Sequence, residues 1–245
     1  IIQDLKSLYV EEVHVSIYGS TEKTHDMITR MPGSFTKSIA AISRMSSLGI
    51  RVRIKCPIMR INAEEILGLK EVAKQMGIDI QFATVITAQN DGNSGTLELR
   101  LTNEQANNLL ANSEIDRHSS DPLKICECQD SIPCDVIFNG GSIDPHGDVF
   151  ACNQLRVKGG NILEKSLIDI WKNSPEFQRL RAVKLKHLFE CKDCDLFSYC
   201  ARCPGLAYLE DGNLLGCSTA AKRNAIIRKE LGVYPFHPHI FGHST

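Results

Sequence analysis

Val13-His14-Val15-Ser16-Ile17 alternates apolar and polar residues, which predicts a half-buried strand. Turn residues follow, through Pro32 and Gly33. From Phe35 the period changes. Ile39, Ile42, Met45 and Leu48 make the stripe of an amphipathic helix, with Ser34 placed to cap its start and Gly49 to end it. Ile50-Arg51-Val52-Arg53-Ile54-Lys55-Cys56 alternates strictly and predicts a second strand. Asn62 followed three residues later by Glu65 has the form of a capping box. The helix behind it sets Ile66, Leu69, Ala73 and Met76 on one face, and Gly77 ends it. Ile78 to Val85 reads as a third strand, and Leu97 to Leu101 as a candidate further one. Strands and helices in alternation with short joints predict parallel strands and right-handed crossovers.

The spacing changes near Asp121-Pro122 to short pieces with few long helices. Val136-Ile137-Phe138 and Val149-Phe150-Ala151 flank a Gly-rich stretch containing Asp-Pro, which predicts a hairpin. Ser166 to Arg181 reads as one helix, with Leu167, Ile170, Trp171 and Leu180 apolar. Cys191 to Cys217 has little periodicity, as in segments held by metal more than by a core. Three parts are expected: 1–120, 121–230 and a tail, 231–245, that is rich in aromatic and His residues.

The 245 residues carry 28 basic and 29 acidic side chains, so near-neutrality offers no electrostatic reason to expect nucleic acid or an anionic membrane as partner. No run approaches the ~20 apolar residues of a membrane span. Ile1-Ile2-Gln3-Asp4 lacks the basic start and apolar block of a signal peptide, so a reducing, cytoplasmic setting is expected. The chain does not begin with Met, and a fragment of a longer protein is expected.

Of ten cysteines, Cys56 stands alone on the second strand and is expected to pack as a small apolar residue. The other nine fall between Cys126 and Cys217. Cys191-x2-Cys194-x5-Cys200-x2-Cys203 sets two C-x2-C pairs close together, and each pair brings two thiolates to one metal. Cys126, Cys128, Cys134, Cys152 and Cys217 add enough sulfur for two four-thiolate sites with one cysteine to spare. Spacing leaves zinc and iron–sulfur both open. Lys192, Lys222 and Arg223 lie near these cysteines in sequence and are candidates to favour thiolates.

Cys134-x12-Gly147-x4-Cys152, then C-x2-C-x5-C, then the distal Cys217 resemble the SPASM extension of radical S-adenosylmethionine (SAM) enzymes. The connector "SLIDIWKNSPEFQRLR" is similar too, and "VSIYGSTEKTHDMITRMPGSF" and "VRIKCPIMRIN" resemble later strands of that family's partial TIM barrel. The resemblance implies an α/β fold, a parallel βαβαβ portion of the barrel followed by a small irregular α+β domain with a β-hairpin. It implies two auxiliary [4Fe–4S] clusters, one on Cys128, Cys134, Cys152 and Cys203, the other on Cys191, Cys194, Cys200 and Cys217. Cys126 would be the spare or a substitute for Cys128. Two departures stand out. The family's dense motif ends C-x3-C where this chain has Cys200-x2-Cys203, and the chain contains no C-x3-C-x2-C. That triad carries the SAM-binding cluster, so the first barrel strands are expected to be missing and this polypeptide is not expected to cleave SAM alone.

In the resembled barrel, Ser16 falls where a polar residue approaches SAM, although Tyr18-Gly19 replaces the family's Asp-Gly. Arg53 and Lys55 either face the barrel interior, where they would meet carboxylates of SAM or substrate, or lie on a solvated sheet edge. Asn62 is a further candidate contact, with helix capping as its plainer role. His14, His25, His118, His146 and His187 show no ligand spacing, the Asp144–Asp148 carboxylates fit a turn, and Glu64-Glu65 suits a helix start.

Two readings follow. The first is the C-terminal part of a radical SAM/SPASM oxidoreductase or maturase. The complete enzyme would hold a third [4Fe–4S] cluster, cleave SAM reductively and abstract hydrogen from a peptide or protein substrate. It would draw electrons from a low-potential donor such as flavodoxin or ferredoxin. The second is a non-enzymatic interaction module with two four-cysteine zinc sites.

Overall fold

The computed structural model describes residues 1–122 and 129–235. They form two compact units, one of residues 1–86 and 96–105, the other of residues 87–95 and 106 onward.

The first unit opens with α1 (Ile2–Ser7). Its sheet has three parallel strands, β1 (Val13–Ser16), β2 (Val52–Pro57) and β3 (Asp79–Ala83), in that spatial order. Helices α2 (Glu22–Thr29) and α3 (Ser34–Ser47) join β1 to β2, and α4 (Ile66–Gln75) joins β2 to β3. The alternation in β2 reports its faces correctly: Val52, Ile54 and Cys56 are buried, while Arg53 and Lys55 lie on the other face. Because β2 is the central strand, those two bases do not sit on a sheet edge. Arg53 pairs with Glu12 at 3.1 Å and Asp79 at 3.8 Å, and Lys55 donates to Gln81.

Four expectations for this unit need correction. The turn region contains α2, whose sequence has too few apolar residues to mark a stripe; Thr21 caps it by accepting the Thr24 N–H. Ser34 does not cap α3. Gly33 holds that position at φ 76°, and the Asp26 carboxylate accepts the Gly33 and Phe35 amides and the Ser34 hydroxyl instead. Leu97 to Leu101 is not a strand: a 3-10 turn covers Gly95–Leu99, and Arg60 N–H donates to the Leu99 carbonyl at 2.8 Å.

The fourth correction is the capping box at Asn62 and Glu65. The Asn62 side chain makes no cap bond. Buried, it accepts the Met59 amide at 2.7 Å and donates to the Tyr18 carbonyl at 2.9 Å and the Pro57 carbonyl at 3.1 Å. Glu65 accepts the Ser20 amide at 2.8 Å, the Thr21 amide at 3.0 Å and the hydroxyls of Ser20, Thr21 and Thr24. Both side chains are thus spent across the sheet end, where they hold the loop that leaves β1.

In the second unit, β4 (His118–Ser119) pairs with β8 (Tyr234–Pro235), and β5 (Ser142–Ile143), β6 (Asp148–Phe150) and β7 (Lys158–Asn161) form an antiparallel sheet. The hairpin is there, but its first strand is Ser142–Ile143. Val136–Asn139 is a helical turn, α6, that buries Ile137. Asp144 closes the hairpin by accepting the His146 and Asp148 amides at 2.9 and 3.1 Å, with Gly147 at φ 84°. Ser166 to Arg181 is two helices, α7 (Leu167–Asn173) and α8 (Pro175–Arg181), because Ser174 leaves the helix and caps α8, with Pro175 at its first turn. These helices press on β7 at Gly159 and Gly160, where a Cβ would meet the Phe177 ring at 2.4 Å and Ile170 at 3.0 Å. The resulting core is Ile137, Val149, Ala151, Leu155, Ile170 and Phe177. Helix α5 (Asn103–Leu110) precedes β4, and α9 (Phe189–Lys192), α10 (Pro204–Asp211) and α11 (Thr219–Leu231) precede β8. Arg228 of α11 forms a buried pair with Asp116 at 2.8 and 3.0 Å. Among the described residues no helix is long and apolar enough to cross a membrane.

Burial alone would raise the Glu65 pKa, but the hydrogen bonds from Thr24, Ser20 and Thr21 outweigh it and hold the pKa below its ordinary 4.5. The carboxylate therefore stabilises the fold above pH 4.5, and that contribution is lost as pH falls below it through the lowered folded value. Glu65→Gln should cost about 2 kcal/mol at pH 7, since hydrogen bonds to a charged acceptor exceed those to a neutral one. In urea melts the gap between wild type and variant should shrink from pH 7 to pH 3; a gap independent of pH would contradict this account.

Candidate metal centre

All seven described cysteines beyond Cys56 lie in the second unit, and they separate into two sets. Cys134, just before α6, Cys152, just after β6, and Cys203, at the cap of α10, line one cavity of about 50 Å³. Its other walls are apolar, among them Ile132, Val136, Ala151, Leu155 and Leu180. Cys191, Cys194, Cys200 and Cys217 line a second cavity, of about 40 Å³, with Leu185, Leu188, Glu190, Arg202 and Lys222. Each is several-fold larger than the ~10–15 Å³ that admits one water. Cys126 and Cys128 lie outside the described residues, so the expected fourth ligand of the first set has no described position.

The local chain explains how each sulfur is presented. Cys152 accepts the Leu155 amide at 3.0 Å in the turn leaving β6. Cys203 stands at the start of α10, where burial raises its pKa and hydrogen bonds from the Leu206 and Gly205 amides oppose that rise. Close packing holds this end in place, since a Cβ on Gly205 would meet Gln154 Cβ at 2.9 Å and Leu155 N at 3.2 Å. Glu190 accepts the Cys217 amide at 2.9 Å, which ties the distal cysteine to the helix carrying Cys191. Cys200 and Cys203, three residues apart, belong to different cavities.

The thiols are costly to ionise as they stand. Burial, then Cys191, Cys217 and Cys194 nearby, push Cys200 up to about 12. Burial pushes Cys134 up to about 11; the Val136 amide opposes this, and Cys203 and Cys152 add to it. Burial also raises Cys191 and Cys217, against the opposing charges of Arg202 and Lys222 respectively. Sets of mutually facing, water-shielded thiols fit a bound metal group, whose positive charge is what makes such thiolates stable. Zinc holds thiolates at about 2.3 Å, and among the described residues no three His, Cys, Asp or Glu side chains converge on a point for one metal ion. An iron–sulfur cluster is larger than one ion and spaces its ligands more widely.

Residues 134–204 match the family model described as SPASM, an iron–sulfur cluster-binding domain. Over those residues the chain is similar to a SPASM domain. It is 25% identical over 240 residues to the AdoMet-dependent heme synthase of Methanosarcina barkeri (strain Fusaro / DSM 804), covering 88% of this chain and 68% of that protein. Native anSMEcpe with bound AdoMet and Kp18Cys peptide is similar at a TM-score of 0.56 and 13% identity, over 89% of this chain and 66% of that one. Streptococcus suis SuiB bound to precursor peptide SuiA is similar at 0.50 and 15%, over 86% of this chain and 53% of that one. At such identities the likeness to solved structures is one of fold, that of radical SAM/SPASM enzymes. The chain spans about two thirds or less of these proteins.

The remaining site candidates lie in the first unit. Ser16 is exposed at the end of β1, Arg53 is engaged by Glu12 and Asp79, and the Asn62 amide is consumed by the Met59 amide and the Tyr18 and Pro57 carbonyls. Cys56 lies on the buried face of β2 with its thiol pushed up to about 12 by burial, as expected of a core residue. Of the cations expected near the cysteines, Lys222 lines the second cavity. Arg202 does so too and escaped sequence reading, although its place between Cys200 and Cys203 was the available signal.

Gly205→Ala should push α10 away from the Cys152–Leu155 turn and weaken metal retention by the Cys134, Cys152 and Cys203 set. Iron analysis after anaerobic loading and desalting should show that set depleted and the other retained; unchanged iron would contradict the packing account.

Proposed function

We propose that this chain is the C-terminal part of a radical SAM/SPASM iron–sulfur oxidoreductase that modifies a peptide or protein substrate. Residues 1–120 serve as the later barrel strands, residues 121–230 hold two auxiliary [4Fe–4S] clusters, and residues 231–245 form a tail, of which 236–245 lie outside the described residues. Cys128, Cys134, Cys152 and Cys203 take one cluster, and Cys191, Cys194, Cys200 and Cys217 the other. The observation that carries this reading is the separation of the described cysteines into two cavities. It is supported by the match to an iron–sulfur family. A zinc-stabilised module is not favoured, because the family model matched over residues 134–204 is an iron–sulfur one.

Clusters bound there supply one-electron transfer or a contact for substrate. The protein's own part is to present the sulfurs and exclude water. The apolar walls around Cys134 and Cys152 keep the local dielectric low, and Arg202 and Lys222 offset charge beside Cys191 and Cys217. In the complete enzyme an N-terminal barrel region holds the SAM cluster, and a flavodoxin- or ferredoxin-type donor supplies electrons. Ser16, Arg53 and Asn62 stand in the part of the barrel proposed to approach SAM. The peptide assignment draws on the peptide-bound fold relatives anSMEcpe and SuiB.

A second reading of the substrate comes from the Methanosarcina relative, a heme synthase. A tetrapyrrole substrate would perturb the Soret band on titration into the anaerobic full-length protein, whereas a peptide substrate would leave it unmoved.

Anaerobic reconstitution of this chain should give brown protein absorbing near ~400 nm with about eight irons and eight sulfides. Cys191→Ser should roughly halve the iron, and Cys56→Ser should leave it unchanged. Colourless protein holding about two zinc ions and refusing iron would overturn the reading.

A further inference from the structure

Arg202 lines the cavity of Cys191, Cys194, Cys200 and Cys217 and stands next in the chain to Cys203 of the other set. Its Nε donates to the Gly216 carbonyl at 2.9 Å and its Nη2 to the Leu214 carbonyl. These bonds pin the guanidinium to the segment leading to Cys217. Its Nη1 is buried with no hydrogen-bond partner among the described residues. A buried unpaired donor on a charged group costs about 1–3 kcal/mol or more, so its retention calls for an acceptor. The charge reaches Cys191, Cys200 and Cys217 of one set and Cys203 of the other. Arg228 offers the contrast. It too has a buried Nη1 without a partner among the described residues, but its charge, which acts on Cys200, is already met by Asp116 through two hydrogen bonds. Arg202 bonds only neutral carbonyls and has no carboxylate partner among the described residues.

We propose that Arg202 is a shared tuning residue for both sulfur sets, donating from its pinned guanidinium toward the cluster ligands and raising the electron affinity of both sites. The proposal rests on the two-cluster reading. One-electron reduction by an external low-potential donor adds one negative charge to a site. Arg202 offsets that charge without taking up or releasing a proton, since a guanidinium stays protonated. Its two carbonyl bonds fix the charge in place beforehand, so reduction costs little reorganisation.

The test uses the full chain, loaded anaerobically, as wild type, Arg202→Gln and Arg202→Lys, with EPR-monitored potentiometric titration by dithionite. Arg202→Gln should lower both midpoint potentials, a tenfold loss of electron affinity appearing as ~59 mV for a one-electron couple. Arg202→Lys, which keeps the charge but not the fork, should fall between. Iron on the same samples separates the two ideas. Wild type that binds fewer than two clusters defeats the two-cluster reading, whereas two clusters with unmoved potentials defeats the role of Arg202. Should the variants fail to load, wild type carrying 15N-arginine is examined by pulsed EPR. A 15N coupling at both clusters supports the proposal; a coupling at one or neither overturns it.

Discussion

Burial of sulfur governs the back half of this protein. Thiols in apolar cavities resist ionisation, and thiols that face one another resist it more, as Cys200 shows at about 12. Each set is therefore an unmet electrostatic demand in a part of the chain with short helices and short strands. A cationic metal group bound there, as proposed, would answer that demand and at the same time join segments far apart in sequence. The crossing at Cys200-Ala201-Arg202-Cys203 makes the two demands inseparable, because neighbouring cysteines turn into different cavities.

The front unit meets a comparable problem with oxygen in place of sulfur. Its parallel strands end in loops whose amides need acceptors, and Glu65 and Asn62 supply acceptors from the next crossover. One carboxylate receiving two amides and three hydroxyls fixes the turn after β1 more firmly than local turn chemistry would. Asp26 plays the same part for the start of α3. These carboxylates hold the loop ends of the parallel sheet in shape.

Much of this architecture was legible beforehand. Period-2 alternation located β1 and β2, a 3.6-residue stripe located α3 and α4, and Gly49 and Gly77 end those helices at positive φ. The errors share a cause. Asn62-x2-Glu65 and Ser34 satisfy local capping rules, but long-range partners 44 or 45 residues away, or the carboxylate of Asp26, captured the same groups. Val136 to Phe138 has strand-forming residues, yet its place beneath the core favoured one helical turn burying Ile137. The break at Ser174-Pro175 was readable from proline and was missed because the apolar period continues across it.

The sequence by itself determined the chemistry: nine clustered cysteines in SPASM-like spacing, a neutral surface and alternating strands and helices. Those features are local, set by residue type and short intervals along the chain. Only the tertiary structure decided which thiols share a cavity, that Arg202 has its charge against both sets, and that Glu65 and Asn62 reach across the sheet end. Spacing constrains which atoms can meet within a turn, but meetings between distant segments depend on how buried surfaces close over one another, and no interval in the sequence records that.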